Sequence, residues 1–271
     1  MPLRLFLPLA VLLLAACSSP EEVAEKTGVE RTHTANASAT SSVGATGAAI
    51  AVSEDTDLYS YAFAYPANVG AHPALAARLR SEADREKAAL IAAARDGQAD
   101  AKADGYPFNP YGWRKEWKVV ADLPDYLSLS GEFSTYSGGA HGMYGVESLV
   151  WDKQAERKLD GADLFVSPDV LDAALQPALC DALDAEREER RGEPVGAPTD
   201  DYGFNSCQHV ADSTVLVGSS NGKTFDRLTI YFGPYVAGPY AEGAYELDLP
   251  VDRRVIAAVK PEYRAAFSAR R

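Results

Sequence analysis

Between residues 58 and 105 the apolar side chains change their spacing once, and that change limits the fold more than any other feature of the chain. In LYSYAFAYP, Leu58, Ser60, Ala62 and Ala64 alternate with Tyr59, Tyr61, Phe63 and Tyr65. A period of two is that of a strand with one buried face, and Pro66 ends it. From residue 72 the period lengthens. Leu75, Leu79, Ala83, Leu90 and Ala94 fall at steps of four and seven, one apolar stripe on a long helix whose other face is Arg, Glu, Asp and Lys. His72, just before Pro73, reads as a turn residue at the helix start.

Strand patterns resume after a Pro-, Gly- and aromatic-rich connector at 106–113. They cover 116–122 and 126–136, pass the turn SGGAHG, and continue in MYGVESLVWD. A second helix opens on Ser167 as N-cap, Pro168 at the first helical position and Asp169 at the positive end of the dipole. Leu171, Leu175, Leu179 and Leu183 then recur every four residues, which predicts one continuous helix carrying Cys180. Residues 186–201 read as a loop. Beyond it, STVLVG and FDRLTIYF predict a hairpin turning at Asn221-Gly222, a pair suited to a type I′ turn. AYELDLP predicts a last strand, and two short helical patterns close the chain. The expected class is α+β: two small sheet-plus-helix units packed together, 55–150 and 151–271, with antiparallel sheets and no βαβ alternation of the Rossmann kind.

The N-terminus predicts export. Arg4 precedes an apolar run from Leu5 to Ala16, shorter than the ~20 residues a spanning helix needs, and Leu14-Ala15-Ala16-Cys17 follows. A cysteine after small residues resembles the bacterial lipoprotein box. That resemblance implies a signal peptide at 1–16, lipidation of Cys17 and, with no aspartate after it, a place in the outer membrane facing the periplasm. Acyl chains there contribute about 0.8 kcal/mol per buried CH2. An ordinary secreted protein with a chance cysteine is the rival reading. Residues 17–54, rich in Ala, Thr, Ser and Gly, read as a flexible tether.

The formal net charge is −13, and losing Arg4 with the signal leaves −14. Such a chain has no basic surface for phosphates, so nucleic acid is not an expected partner, whereas a cationic partner is favoured by steering. Of three cysteines, removing Cys17 leaves Cys180 and Cys207 as an even pair in an oxidising compartment. A disulfide is expected, and closing that loop is worth roughly 3–4 kcal/mol.

Catalytic signatures are weak. Gly218-Ser219-Ser220-Asn221-Gly222 fits G-x-S-x-G, but a nucleophile elbow needs a helix after the serine, and here a strand follows. His33, His72, His141 and His209 are isolated, and no H-x-x-x-H or C-x-x-C pair exists. Glu132, Glu147 and Asp152 are carboxylates of the kind every acidic chain offers. No catalytic residue, metal or cofactor is therefore expected. The stretches suited to recognition are YSGGAHG, with Tyr136, Gly138, Gly139 and His141, and the repeat Gly233-Pro234-Tyr235, Gly238-Pro239-Tyr240. Proline fixes the backbone there, and Tyr235 and Tyr240 offer large contact area with few rotors.

YSGGAHG, a following strand ending in VWD, KLDGADLF and FDRLTIYFGPYVAGPYAEGAYELDLP together resemble a tandem of extracytoplasmic bacterial domains over residues 55 to 250. The first half is similar to the domain that precedes some peptidoglycan deacetylase domains (PdaC-like). The second is similar to the extracellular region of lysozyme-sensing anti-sigma factors (RsiV-like). The resemblance implies binding outside the cell, with a basic lysozyme as the expected partner and peptidoglycan glycans as the alternative; a cell-wall hydrolase or deacetylase ranks third. Anti-sigma and deacetylase roles do not carry over, because the chain shows neither a cytoplasmic sigma-binding segment nor a C-terminal catalytic domain.

Overall fold

A computed structural model describes residues 47–197 and 202–270. The expected signal peptide, Cys17, His33 and most of the tether lie outside the described residues. No helix among the described residues is long and apolar enough to cross a membrane.

The first layer is a six-stranded sheet in the order β1-β2-β3-β4-β5-β6: Ile50–Asp55, Tyr59–Tyr65, Tyr111–Asp122, Tyr126–Tyr136, Met143–Asp152 and Arg157–Leu159. A single turn of helix, α1 (Ala67–Gly70), leads into the long α2 (Pro73–Asp104). The alternation in β2 behaves as read, with Tyr61, Phe63 and Tyr65 buried against Leu75, Leu79, Ala83 and Leu90 of α2. All neighbouring strands are antiparallel except β2 and β3, which run parallel. The expectation of antiparallel sheets holds for every other pair and is corrected at this one alone. A helix as long as α2 carries the chain back along the sheet, so the next strand starts from the same end as β2 and makes a β-α-β crossover.

β1 is a second correction, since residues 50–54 read as tether. It is an edge strand whose side chains are nearly all exposed. Backbone pairing with β2 holds it, together with a Glu54 carboxylate that takes Lys87 and the Tyr59 hydroxyl at 2.8 Å. A strand with no buried face has little hydrophobic period to read.

The second layer is the antiparallel meander β7 (Thr214–Gly218), β8 (Arg227–Phe232) and β9 (Tyr245–Pro250). Val215, Val217, Leu228, Ile230, Phe232, Tyr245 and Leu247 share a core with α3 (Pro168–Leu175), α4 (Ala178–Arg191) and α5 (Arg253–Ala258). That core also takes Ala121 and Val150 from the first sheet and Leu123 from its β3–β4 turn, whereas Trp151 belongs to the core under α2. Adjacent residues of one strand thus serve two cores, and the boundary drawn at residue 150 falls inside β5. Two bonds stitch the seam: Thr214 Oγ1 to the Val146 carbonyl (2.9 Å) and the Gly161 amide to Ser148 Oγ (3.0 Å).

Three local readings change. The leucines at 171, 175, 179 and 183 are all buried, but the helix breaks at a cis Gln176–Pro177 peptide. Proline lacks the N–H and pushes the preceding residue out of the helical region, as Gln176 with ψ 142° shows. Residues 186–191, read as loop, complete α4 up to Gly192 at φ 72°. Finally, 219–226 is not a two-residue turn. Asn221 Oδ1 accepts the Lys223 and Thr224 amides (2.8 and 2.9 Å), and the buried Asp226 accepts the Ser220 amide at 2.7 Å. The expected disulfide Cys180–Cys207 is present and ties α4 to the segment before β7.

Ser128 on β4 pairs in register with Ala121 and Val150, is fully buried, and its hydroxyl has no hydrogen-bond partner among the described residues. A buried hydroxyl without a partner costs about 1–3 kcal/mol. Ser128→Ala is therefore expected to leave the unfolding free energy unchanged or raise it, by up to about 1 kcal/mol. A clear loss of stability in equilibrium unfolding would contradict this account.

Candidate functional site

The turn between β4 and β5 and the loop between β8 and β9 meet in one exposed corner. In the first, Gly138 and Gly139 sit at φ 87° and 92°, where L side chains are strained. Gly142 is needed for another reason: a Cβ there would lie 2.4 Å from the Thr135 carbonyl oxygen. Tyr136 at the end of β4 donates its hydroxyl to the Gly139 carbonyl at 3.1 Å. These contacts fix the backbone that presents His141.

The second loop supplies the other rings. Tyr235 stands at φ 70° and is half exposed. Pro239 leads into a 3-10 turn, Tyr240–Glu242. The His141 imidazole stacks on the Tyr240 ring, with centroids 3.9 Å apart and planes 23° apart. Tyr235 and Tyr144 pack beside Tyr240 with centroids at 5.5 and 6.1 Å. The Gly142 carbonyl joins the halves, accepting the Tyr240 hydroxyl at 2.8 Å and facing His141 Nδ1 at 3.0 Å. A proton on Nδ1 leaves Nε2 to accept from the Tyr235 hydroxyl at 3.4 Å. A groove of about 550 Å³ runs from this corner across the open face of the first sheet. Ser53, Ala62, Ser134, Tyr136, Tyr144 and Tyr240 are among the residues that line it.

Three arginines of α4 hold the tyrosine loop in place. Arg187, fully buried, donates through Nε and Nη2 to the Ala237 carbonyl (3.1 and 2.9 Å) and through Nη2 to the Ser206 carbonyl (3.0 Å). Arg190 donates to the carbonyls of Glu242 and Ala244, both at 2.7 Å, and lies over the Tyr245 ring. Arg191 grips the Glu242 carboxylate with two bonds, at 2.9 and 3.0 Å. The partial burial of Glu242 works against its charge, yet bonds from Arg191 and Tyr245 hold its carboxyl below the ordinary range. Burial and the Glu242 carboxylate push the Tyr245 hydroxyl up to about 12. Reading 186–201 as a loop hid these arginines, although their spacing of three and four marks one helix face.

All seven expected binding residues, Tyr136, Gly138, Gly139, His141, Tyr235, Pro239 and Tyr240, belong to the two segments that meet here. The other described histidines lie elsewhere. His72 precedes α2 without capping it, and partial burial, with Lys153 nearby, lowers its pKa. His209 faces Asp172 Oδ2 at 3.0 Å. Among the described residues no three His, Cys, Asp or Glu side chains converge as metal ligands do. Ser220 of the G-x-S-x-G run bonds to Asp226 within its own turn.

Two expectations follow. Arg187→Met removes the clamp and leaves the Ala237 and Ser206 carbonyls without it inside the fold, a loss of about 3 kcal/mol readable in urea denaturation. A change within 0.5 kcal/mol would mean that the loop does not depend on the arginine, since about that much is ordinary for surface substitutions. The second concerns His209, whose pKa the bond to Asp172 raises above its usual value. That pairing stabilises the fold fully below the unfolded histidine pKa and is lost as pH rises through the raised folded value. NMR titration should show His209 titrating above 6.5, and lower again in Asp172→Asn.

A search of curated proteins gives no significant match. Among solved structures, the chain is similar to a DUF3298 family member from Bacteroides fragilis at 17% identity, over 81% of this chain and 95% of that one, with a TM-score of 0.48. A DUF3298 family protein from Pseudomonas aeruginosa is similar at 15% identity, over 83% of this chain and 98% of that one, with a TM-score of 0.43. Residues 52–144, from β1 to the start of β5, match the family model described as Deacetylase PdaC.

Proposed function

We propose that this protein is a lipoprotein of the periplasm, anchored through Cys17, that binds a basic lysozyme through the corner formed by His141, Tyr235 and Tyr240. The observation that carries this reading is the stacked imidazole and tyrosine cluster. It is assembled from segments nearly a hundred residues apart in sequence, and both are locked by glycine geometry and arginine clamps. Rigid, half-exposed aromatic rings give large contact area at small ordering cost, as recognition surfaces require. The strongly acidic chain supports a cationic protein as the partner. The reading includes no catalytic step, since the near neighbours of His141 are tyrosines and a backbone carbonyl, which orient an imidazole without activating it. The groove beside the corner favours one other partner, peptidoglycan glycans, whose flat sugar rings suit small polar residues between tyrosines.

Binding and inhibition assays with a basic lysozyme, alongside sedimentation with purified peptidoglycan, separate the two. His141→Ala and Tyr240→Ala are expected to weaken lysozyme binding about tenfold or more, the effect of losing a central aromatic contact, with melting temperatures near wild type. Unchanged binding in both variants, or a loss of several degrees in both, would make the corner architecture. Sedimentation with peptidoglycan in the absence of lysozyme binding would favour the glycan reading.

A further inference from the structure

A second groove, of about 340 Å³, lies along α2 on the face of the first sheet that this helix covers. Its floor is aromatic. Trp117 on β3 lies over its register partner Gly131, and Phe133 on β4 over its own, Gly145. A Cβ at Gly131 would come 2.8 Å from the indole, and one at Gly145 2.7 Å from the phenyl ring, so any larger residue would lift the ring off the sheet. Trp117 is buried, with the Lys115 ammonium 5.0 Å above it. Trp113 is half-buried and stacks on Tyr61 with planes 9° apart. Phe133 is half-buried too, yet it packs in neither core. Core packing therefore does not explain why this ring is laid on a glycine beside the helix.

The walls are charged but balanced. Lys115 pairs with Glu147, and Glu82 with Lys158 at 3.2 Å. Arg85 and Glu86, both exposed, stand side by side on α2. Counting Lys158, the cations Lys115, Arg85 and Lys158 face the anions Glu82, Glu86 and Glu147. The groove thus carries no net charge on a chain whose formal net charge is −13.

We infer that this groove is a binding site for a neutral saccharide, a short chain of pyranose rings, separate from the aromatic corner and independent of the lysozyme reading. A pyranose offers C–H groups to the electron-rich face of an aromatic ring, and Phe133 and Trp113 supply such rings. Its hydroxyls donate and accept, so they can bond to ions that already have partners without bringing a charge of their own. The Glu147 carboxylate, about half exposed beside Lys115, keeps lone pairs for this, and the exposed Thr135 adds a hydroxyl. An anion or a cation would have to break these pairs to enter. A basic protein segment would find no net charge here to draw it, unlike the chain as a whole. Apolar rings with a few placed polar groups, in a volume of this order, are what small-ligand sites present.

The test is titration of the full chain with cellotetraose and with chitotetraose, followed by calorimetry and by the fluorescence of Trp113, the least buried of the three tryptophans. Phe133→Ala removes the platform, and Thr135→Arg fills the groove from an exposed position. Each is expected to weaken binding about tenfold or more, with a melting temperature near wild type because neither residue belongs to a core. Binding of both sugars means that the pyranose ring itself is recognised, and binding of chitotetraose alone adds its acetamide groups to the contacts; either supports the site. Failure of both to bind up to about 10 mM, or equal binding by wild type and the two variants, overturns it. Loss of sugar binding in Tyr240→Ala, with Phe133→Ala unaffected, places the sugar in the groove beside the corner and also overturns it. Lysozyme binding is expected to be unchanged in Phe133→Ala, so the two readings stand or fall separately. If the sugars fail while Phe133→Ala weakens lysozyme binding, the groove is a protein surface and the saccharide site falls.

Discussion

Burial of one face of the six-stranded sheet under α2, and of the β5–β6 end of its other face under the three-stranded layer, is the constraint on which the rest of the molecule depends. Its strands carry large apolar residues toward α2 and, at the β5–β6 end, a second apolar set toward the three-stranded layer. Val150 and Trp151 show the consequence at its smallest scale, since neighbouring residues of β5 point into different cores. The period of two along a strand forces that division wherever, as at this end of β5, both faces are covered. The second unit therefore has no complete core without Ala121, Leu123 and Val150, and its position against the first sheet follows from packing.

That position brings the two candidate binding segments together. The Gly-rich turn belongs to the first sheet and the Gly-Pro-Tyr loop to the second, and each is rigid for its own reason. Positive φ angles and a close carbonyl shape the turn. The loop is pinned from behind by Arg187, Arg190 and Arg191, with the disulfide fixing the helix that carries them to the 202–209 segment. Desolvating the Arg187 guanidinium is costly; the Asp184 carboxylate one turn back on α4 (3.0 Å) offsets part of that cost, and its bonds to the Ala237 and Ser206 carbonyls add to this while the loop keeps its shape.

How far this was legible in the sequence depends on whether a feature leaves a local periodic trace. Tyr61, Phe63 and Tyr65 alternate because one face meets a helix, and Leu75 to Ala94 repeat because one stripe meets that sheet. Both could be read without knowing what they touch. Ser167 and the cysteine pair were legible through capping chemistry and simple parity. β1 was not, because it buries almost nothing. Nor was the break at Pro177, because the leucine spacing continues through it while the backbone does not. The turn and loop residues were identified as binding candidates by composition, but the stack of His141 on Tyr240 is a tertiary fact. The Arg187 clamp is likewise a tertiary fact, since it joins α4 to a loop fifty residues further on.

The Gly142 carbonyl, shared by His141 and Tyr240, has a kinetic consequence. A surface whose rings are already held to each other across the seam needs no loop ordering after encounter. Association would then be governed by diffusion and long-range charge, and so respond to ionic strength. Discrimination among related partners would fall on how long each stays, because contacts made on a rigid surface are lost together when they are lost at all.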